Sequence, residues 1–385
     1  MNPLIGLFRR VTSRITPLPP GVYHYQAPPQ DPRNYRLHLR IEPDGKGVMI
    51  VNASTILHLN QIATEFAYHL IRSTPEEKAI REITTRYRVN KKQAQQDYRD
   101  FVERITSLVT TQDLDPVMYL DFDLKPPHDE EVSAPYRLDC AITYRLPQTE
   151  DLKSAPQERV SRELTTEEWI RILDKAWQAG IPHILFTGGE PTLRDDLVEL
   201  INHAEQNGQV SGLLTDGYRL ADQDYLNTLI QTGLDHLLIV LETQETPAWK
   251  GLRNALESDI FTAVHLTLTP DNLPDFIPCI DRLSDLKVSA ISLSASSHEF
   301  DEHLLSAREH IARLNIPLIW DLPVPYSSIN PVFLETISGE IASGAGRAWL
   351  YVEPDGDVLP SQGVNKVLGN LLRDPWDSIW KSQRA

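Results

Sequence analysis

The stretch His183-Ile184-Leu185-Phe186-Thr187-Gly188-Gly189-Glu190-Pro191 decides the fold. Its first five residues read as a strand. Leu197, Leu200, Ile201 and Ala204 then form the buried stripe of a helix running from about Leu193 to Asn207 and stopping at Gly208. The turn between them carries two glycines, which let the backbone approach a ligand closely, and a proline that fixes entry into the helix. It also carries a carboxylate, Glu190, suited to an ammonium group. In α/β folds such a turn lies at the carboxyl ends of the strands, where ligands bind. Taken alone, the stretch reads equally well as a tight strand–helix connection.

The same rhythm extends both ways. Upstream, Tyr136–Thr143 reads as a strand, and Thr165 with Glu168 forms a capping box. Trp169, Leu173, Ala176 and Trp177 follow as an apolar stripe that ends at Gly180. Downstream come strand candidates Gly212–Thr215, His236–Leu241, Thr262–Thr269 and Val288–Ala295, with a helix over about Asp222 to Thr232 and a further strand at Ile316–Trp320. Repeated alternation implies a parallel sheet with helices outside. A closed barrel needs eight units. The visible six predict an α/β fold with a partial (β/α)6 barrel over 136–325.

Ahead of the barrel, residues 1–33 are proline-rich and read as irregular. Residues 34–110 read as a small α+β unit. In it Tyr35–Ile41 and Gly47–Asn52 form a hairpin about Asp44-Gly45. Helices are expected over about Leu59–Arg72, Pro75–Tyr87 and Lys91–Leu108, with Thr74 as an N-cap. Residues 111–135, acidic and carrying four prolines, read as a linker, and 326–385 as a tail.

Composition narrows the function. The 385 residues carry a formal charge of −17, which argues against a nucleic-acid partner gripped over a broad face. Two cysteines, Cys140 and Cys279, rule out a disulfide framework and point to the cytoplasm. No apolar run reaches the roughly 18 residues of a membrane span. Met1 to Ile15 has its arginines in the wrong order for a signal peptide. It reads as a frayed start packing on its own domain or as an amphipathic helix. His298 and His303 lie five apart, one too many for a zincin helix.

Gly188-Gly189-Glu190-Pro191 resembles the S-adenosylmethionine-binding motif of the radical S-adenosylmethionine (radical SAM) enzymes, whose fold is a partial six-unit barrel. The resemblance implies that Gly188, Gly189, Glu190 and Pro191 hold the methionine amino group of S-adenosylmethionine. It assigns Thr215 and Asp216, in Thr215-Asp216-Gly217, to the turn after the next strand, and Glu242 to a polar position on the ribose side. Residues 34–110 resemble a winged-helix-like PqqD-type module, which in the family binds a leader or substrate peptide as an added strand at the hairpin edge. Tyr351–Pro360, Leu368-Gly369-Asn370 and Trp376–Trp380 resemble a SPASM-type tail. The layout is that of the pyrroloquinoline-quinone type of peptide-modifying enzyme.

One part of the pattern breaks. The family holds a four-iron–four-sulfur cluster with CxxxCxxC after the first strand. Counted from Cys140, the second and third positions are Tyr144 and Pro147, and the tail has Ser361 where cysteine is common. Such clusters need thiolates. Cys140 reads as a remnant metal ligand or a small buried hydrophobe, and Cys279 as a buried hydrophobe. The expected protein binds a peptide and S-adenosylmethionine without the cluster, as a pseudoenzyme or scaffold with a possible protein partner. The alternatives are an enzyme running cluster-free acid/base chemistry through Glu190 or Asp216, and one with a non-standard iron–sulfur cluster.

Overall fold

The computed structural model describes residues 17–383 apart from 29, 32, 34, 53–54, 111–131, 149, 259 and 336–341. The readings of Met1–Ile15 and of most of the 111–135 linker lie outside these residues. The chain divides into two compact units, Met1–Ser133 and Ala134–Ala385.

The first unit is a four-stranded antiparallel sheet, β1 (Gly21–Gln26), β2 (Arg36–Ile41), β3 (Gly47–Val51) and β4 (Thr55–Leu59), in the order β1-β2-β3-β4. Three helices follow, α1 (Gln61–Ile71), α2 (Glu76–Arg86) and α3 (Lys91–Thr110). Gly45, at φ 80°, donates to the Glu42 carbonyl and closes the β2–β3 hairpin at the expected turn. Leu39, Met49, Leu57, Phe66, Ile83 and Phe101 fill the core, each side chain worth about 1.5–3 kcal/mol of burial.

Three expectations are corrected here. Residues up to 33 are not wholly irregular, because Gly21–Gln26 pairs along its whole length with β2. The prolines flank this strand and do not enter its ladder, so they do not break it. The first expected helix begins later than Leu59: Leu59 ends β4, and the Asn60 side chain caps α1 by accepting from the Ile62 and Ala63 N–H groups. Thr74 does not cap α2. Pro75 takes that position without a side-chain bond, while the Thr74 N–H closes the preceding turn on His69.

The second unit alternates strictly. β5 (Arg137–Thr143), α4 (Thr166–Gln178), β6 (His183–Gly188), α5 (Leu197–Asn207), β7 (Val210–Thr215) and α6 (Gln223–Gln231) come first. β8 (His236–Val240), α7 (Pro247–Leu256), β9 (Phe261–Leu268), α8 (Phe276–Asp285), β10 (Ala290–Ala295) and α9 (Asp301–Arg313) follow. β5 to β10 lie side by side and parallel, which is the six-unit open barrel. The Thr165–Glu168 capping box is formed, and α4 sinks Trp169, Ile172 and Leu173 into the core. Gly208 ends α5 in the left-handed conformation, at φ 86°.

The tail, β11 (Trp349–Val352), β12 (Asp357–Leu359), β13 (Gly369–Asn370) and α10 (Trp376–Ser382), is not separate from the barrel. β11 runs parallel to β5 and extends the sheet to nine strands. The strand expected at Ile316–Trp320 shrinks to one bridge, Leu318 against Ile291. Leu185, Leu214, Leu238, Ala263 and Ala290, one from each of β6 to β10, pack together with Ile319 and Leu322. This apolar layer seals the inner face of the sheet below the strand ends.

Candidate functional site

β6 delivers Gly188 at φ 129° to the barrel mouth. A Cβ there would be driven into the Thr143 carbonyl, and one on Gly189 into the Arg145 carbonyl. The Gly189 N–H donates to Thr143 O at 2.8 Å and the Glu190 N–H to Arg145 O at 2.9 Å. Gly188 O accepts from the Tyr326 N–H at 2.8 Å. The glycines therefore admit the chain's own loop after β5, and the Gly189 N–H is spent on it. Beside them the Thr187 hydroxyl is buried with no partner in the protein.

Glu190 is fully buried and caps the short turn Pro191–Leu193. Its Oε1 accepts from the Thr192 N–H at 2.9 Å, from Thr192 Oγ1 and, at 2.8 Å, from Thr215 Oγ1. Its Oε2 accepts from the Asp216 N–H at 2.7 Å. With about four lone-pair sites, the carboxylate is nearly saturated. Asp216, at the end of β7, keeps the more open carboxyl, with Oδ1 accepting from the Tyr218 N–H at 2.9 Å. Burial, then the neighbouring Glu190 charge, pushes its pKa up to about 8. Glu190 is also raised, by burial, against its own hydrogen bonds. The pair is thus short of a positive charge, and Glu150 adds further repulsion at Asp216. Glu242 is exposed just beyond β8, its carbonyl accepting from Trp249 Nε1 at 3.1 Å.

Cys140 lies in the middle of β5, not after it. Asp139 lines a cavity and Ala141 joins the Tyr144 cluster, so strand alternation puts Cys140 on the opposite face with Leu138 and Ile142. It is buried, and burial pushes its thiol well above the usual range. Its place is that of a small buried hydrophobe, one of the two readings the sequence leaves open. Cys279 is buried on α8. The loop after β5 instead places Tyr144 in a block with Tyr326 and Tyr351. The Tyr144 hydroxyl donates to Glu353 Oε1 at 3.0 Å, and its ring meets Tyr326 edge-on at 5.5 Å. Tyr326 donates to Glu335, which also pairs with Arg159, and Arg159 lies 3.8 Å from Glu353.

This arrangement defines a class: an open six-unit barrel whose Gly-Gly-Glu-Pro turn joins an acidic pair at the mouth. The comparisons agree. The Radical SAM superfamily pattern matches residues 140–246, a stretch that runs from within β5 to just past β8 of the barrel.

The chain is 29% identical over 273 residues to a PqqA peptide cyclase of Bradyrhizobium diazoefficiens, covering 62% of this chain and 70% of that one. Against the PqqA peptide cyclase of Streptomyces rochei it is 26% identical over 288 residues, covering 67% and 78%. The crystal structure of Streptococcus suis SuiB bound to S-adenosylmethionine matches with a TM-score of 0.59 at 14% identity, over 93% of this chain and 88% of that one. SuiB bound to the precursor peptide SuiA matches at 0.58, again at 14% identity and with 93% and 88% covered. At this identity the likeness concerns the fold. Among the described residues no helix is long and apolar enough to cross a membrane.

The residues present fit the two groups that the family implies unequally. An unpartnered Thr187 hydroxyl and an acidic pair short of positive charge suit a cationic nucleoside such as S-adenosylmethionine. A cluster held by three loop cysteines does not fit: residues 144–153 contain no thiol, and Tyr144 is locked to Glu353.

The sequence reading missed a second polar set. His265 and Thr267 on β9 stand opposite Ser292 and Ser294 on β10. Strands buried on both faces read as continuous apolar runs, so His265-Leu266-Thr267 and Ser292-Leu293-Ser294 were the available signal. Ser294 opens on a cavity of 680 Å³ that Asp139, Asp301, Tyr326, Trp349 and Ser361 also line.

Proposed function

We propose that this chain is a member of the peptide-maturation branch of the radical SAM proteins that binds S-adenosylmethionine and a peptide without seating the family's cluster. The carrying observation is the loop after β5, where no thiol stands and Tyr144 is tied into a carboxylate–arginine block. Asp216 meets the ammonium group of S-adenosylmethionine, and Glu190 holds Asp216 and the Thr192 and Thr215 hydroxyls in place. When bound, S-adenosylmethionine supplies a methionyl ammonium and a sulfonium to neutralise the acidic pair.

The first unit serves as the PqqD-like peptide module, and residues 326–385 as a SPASM-like tail that has lost its ligands. Both edges of the β2–β3 hairpin are taken by the chain's own strands, β1 on one side and β4 on the other. A leader peptide adding as a strand therefore pairs with an outer edge of the four-stranded sheet, that of β1 or of β4. Such a chain works as a scaffold or partner in peptide maturation, in a reducing compartment.

The test is anaerobic purification with iron and sulfide quantification, followed by titration of S-adenosylmethionine by calorimetry. A colourless, iron-free protein that binds the nucleoside is expected. Stoichiometric iron and sulfide would overturn the cluster-free reading, and absence of binding would overturn the nucleoside site.

A further inference from the structure

The inner face of β9 and β10 carries a nucleophile–base arrangement separate from the Glu190–Asp216 pair. The pairing of His265 with Ser292 and of Thr267 with Ser294 is set by strand register, so all four side chains share one face. His265 Nδ1 lies 3.0 Å from Ser292 Oγ, and its Nε2 lies 3.0 Å from Ser294 Oγ and 3.2 Å from Thr267 Oγ1. Thr267 Oγ1 is in turn 3.1 Å from Ser294 Oγ. His265 is 1% exposed, whereas Ser294 is partly exposed and lines the cavity. A hydroxyl open to a cavity, a ring nitrogen within hydrogen-bond reach behind it, and a third group on the opposite ring nitrogen are the geometric parts of an activated serine.

We propose that Ser294 is an acyl-accepting nucleophile, with His265 as its base and Ser292 as the positioning residue that fixes the Nδ1–H tautomer. The inference is independent of S-adenosylmethionine binding and of the peptide module. Ser294 Oγ forms a bond to the acyl carbon while its proton passes to His265 Nε2. The bond to the leaving oxygen or sulfur breaks, and the leaving group takes that proton. Water then attacks the acyl-serine, passing its proton through the same nitrogen back to Ser294 and releasing the acid. No oxidant, reductant or metal enters the balance.

Three features define the substrate class. The group behind Nδ1 is a hydroxyl, not a carboxylate, so the imidazolium formed in the reaction gains little stabilisation. Burial already holds the His265 pKa down to about 4, so the ring is neutral and ready to accept a proton but is a weak base. Among the described cavity-lining residues, the Asn330 amide is spent on the Val324 and Pro325 carbonyls, and the Gln362 amide also donates to the Val324 carbonyl, which leaves little amide capacity for an oxyanion. Activated acyl groups, such as thioesters and aryl esters, are therefore the substrates, and unactivated peptide bonds are not.

The test is labelling of the full chain with a fluorophosphonate probe, mapped by peptide mass spectrometry, with p-nitrophenyl acetate hydrolysis alongside. The expected result is one adduct, on Ser294, in native but not heat-denatured protein. The labelling rate should be flat between about pH 6 and 8.5, since a neutral base serves throughout; an unassisted serine would gain about tenfold per pH unit. His265→Gln should slow labelling at least tenfold. Ser292→Ala should slow it several-fold and Ser292→Thr should restore it, with the melting temperature of each variant measured in parallel. No adduct on Ser294 in folded wild-type protein overturns the proposal, whatever the variants do. Labelling that rises tenfold per pH unit and ignores His265→Gln overturns the assignment of the base.

Discussion

The Tyr144 hydroxyl donates to Glu353 across 3.0 Å, joining the loop after β5 to the residue that follows β11. Tyr144 is buried, and Glu353 is only 5% exposed, its carboxyl raised chiefly by burial and eased by this hydrogen bond and by Arg159. Tyr144→Phe removes the donor and leaves a buried acid under-satisfied. A hydrogen bond to a charged group contributes roughly 1.5–3 kcal/mol. Denaturant unfolding should show a loss in that range, while Tyr144→Ala, which also opens a cavity beside Tyr326, should lose more.

Placing cysteines at Tyr144 and Pro147 completes CxxxCxxC on paper with Cys140. No cluster should form, because Cys140 sits inside β5 on the face opposite Asp139 and Ala141. Anaerobic reconstitution of that double variant, followed by iron and sulfide quantification and visible absorbance, checks it. A four-iron signature would mean that the thiol faces the loop after all.

Local signals carried the barrel. The Thr165–Glu168 box and the helix-ending Gly208 act within one turn of chain, so they can be read without knowing what packs against them. β1 and β4 were opaque for the opposite reason. Each is a short run whose only commitment to strand is its neighbour, β2 for one and β3 for the other, and pairing partners are not written in the run itself. At the site, Glu190 and Asp216 were visible as residues but their order of importance was not. Four donors from Thr192, Thr215 and Asp216 converge on Glu190 only in three dimensions. Cys140 left two readings open because a spacing pattern does not say which face of the strand the thiol takes.

Glu190→Gln tests whether this carboxylate holds the mouth together. Only one of the Gln side-chain atoms accepts, so its amide NH₂ must face either the Asp216 N–H or the Thr192 and Thr215 donors. A donor set against a donor in a buried site should cost about 1–3 kcal/mol. A melting temperature lowered by several degrees is expected, and an unchanged one would show that the convergence is not a stabilising feature.

Asp216 gives stability a pH dependence of defined sign. Its folded pKa, about 8, lies above the unfolded 3.8. Between those values the folded chain keeps a proton that the unfolded chain has released. The contribution is therefore complete below 3.8 and is lost as pH rises through about 8. Asp216→Asn removes the titration while its Oδ1 can still accept from the Tyr218 N–H. The variant should be more stable than wild type at pH 8 by about 1–2 kcal/mol, with the gap narrowing toward pH 4. A gap independent of pH would refute the assignment.

The same proton marks ligand binding. At neutral pH the Asp216 carboxyl is largely protonated, so an ammonium or sulfonium group seated against it must expel that proton to gain a full ion pair. Affinity for S-adenosylmethionine should then rise as pH increases from 6 toward 8 and level off above it. Calorimetry in two buffers of different ionisation enthalpy should show close to one proton released per nucleoside at pH 7. Asp216→Asn should abolish that release and weaken binding at pH 8 by about tenfold, the 1.4 kcal/mol of a partly buried charge interaction. S-adenosylhomocysteine, which keeps the ammonium but lacks the sulfonium, separates the two cations: equal proton release with both nucleosides places the ammonium at Asp216, and release with S-adenosylmethionine alone places the sulfonium there.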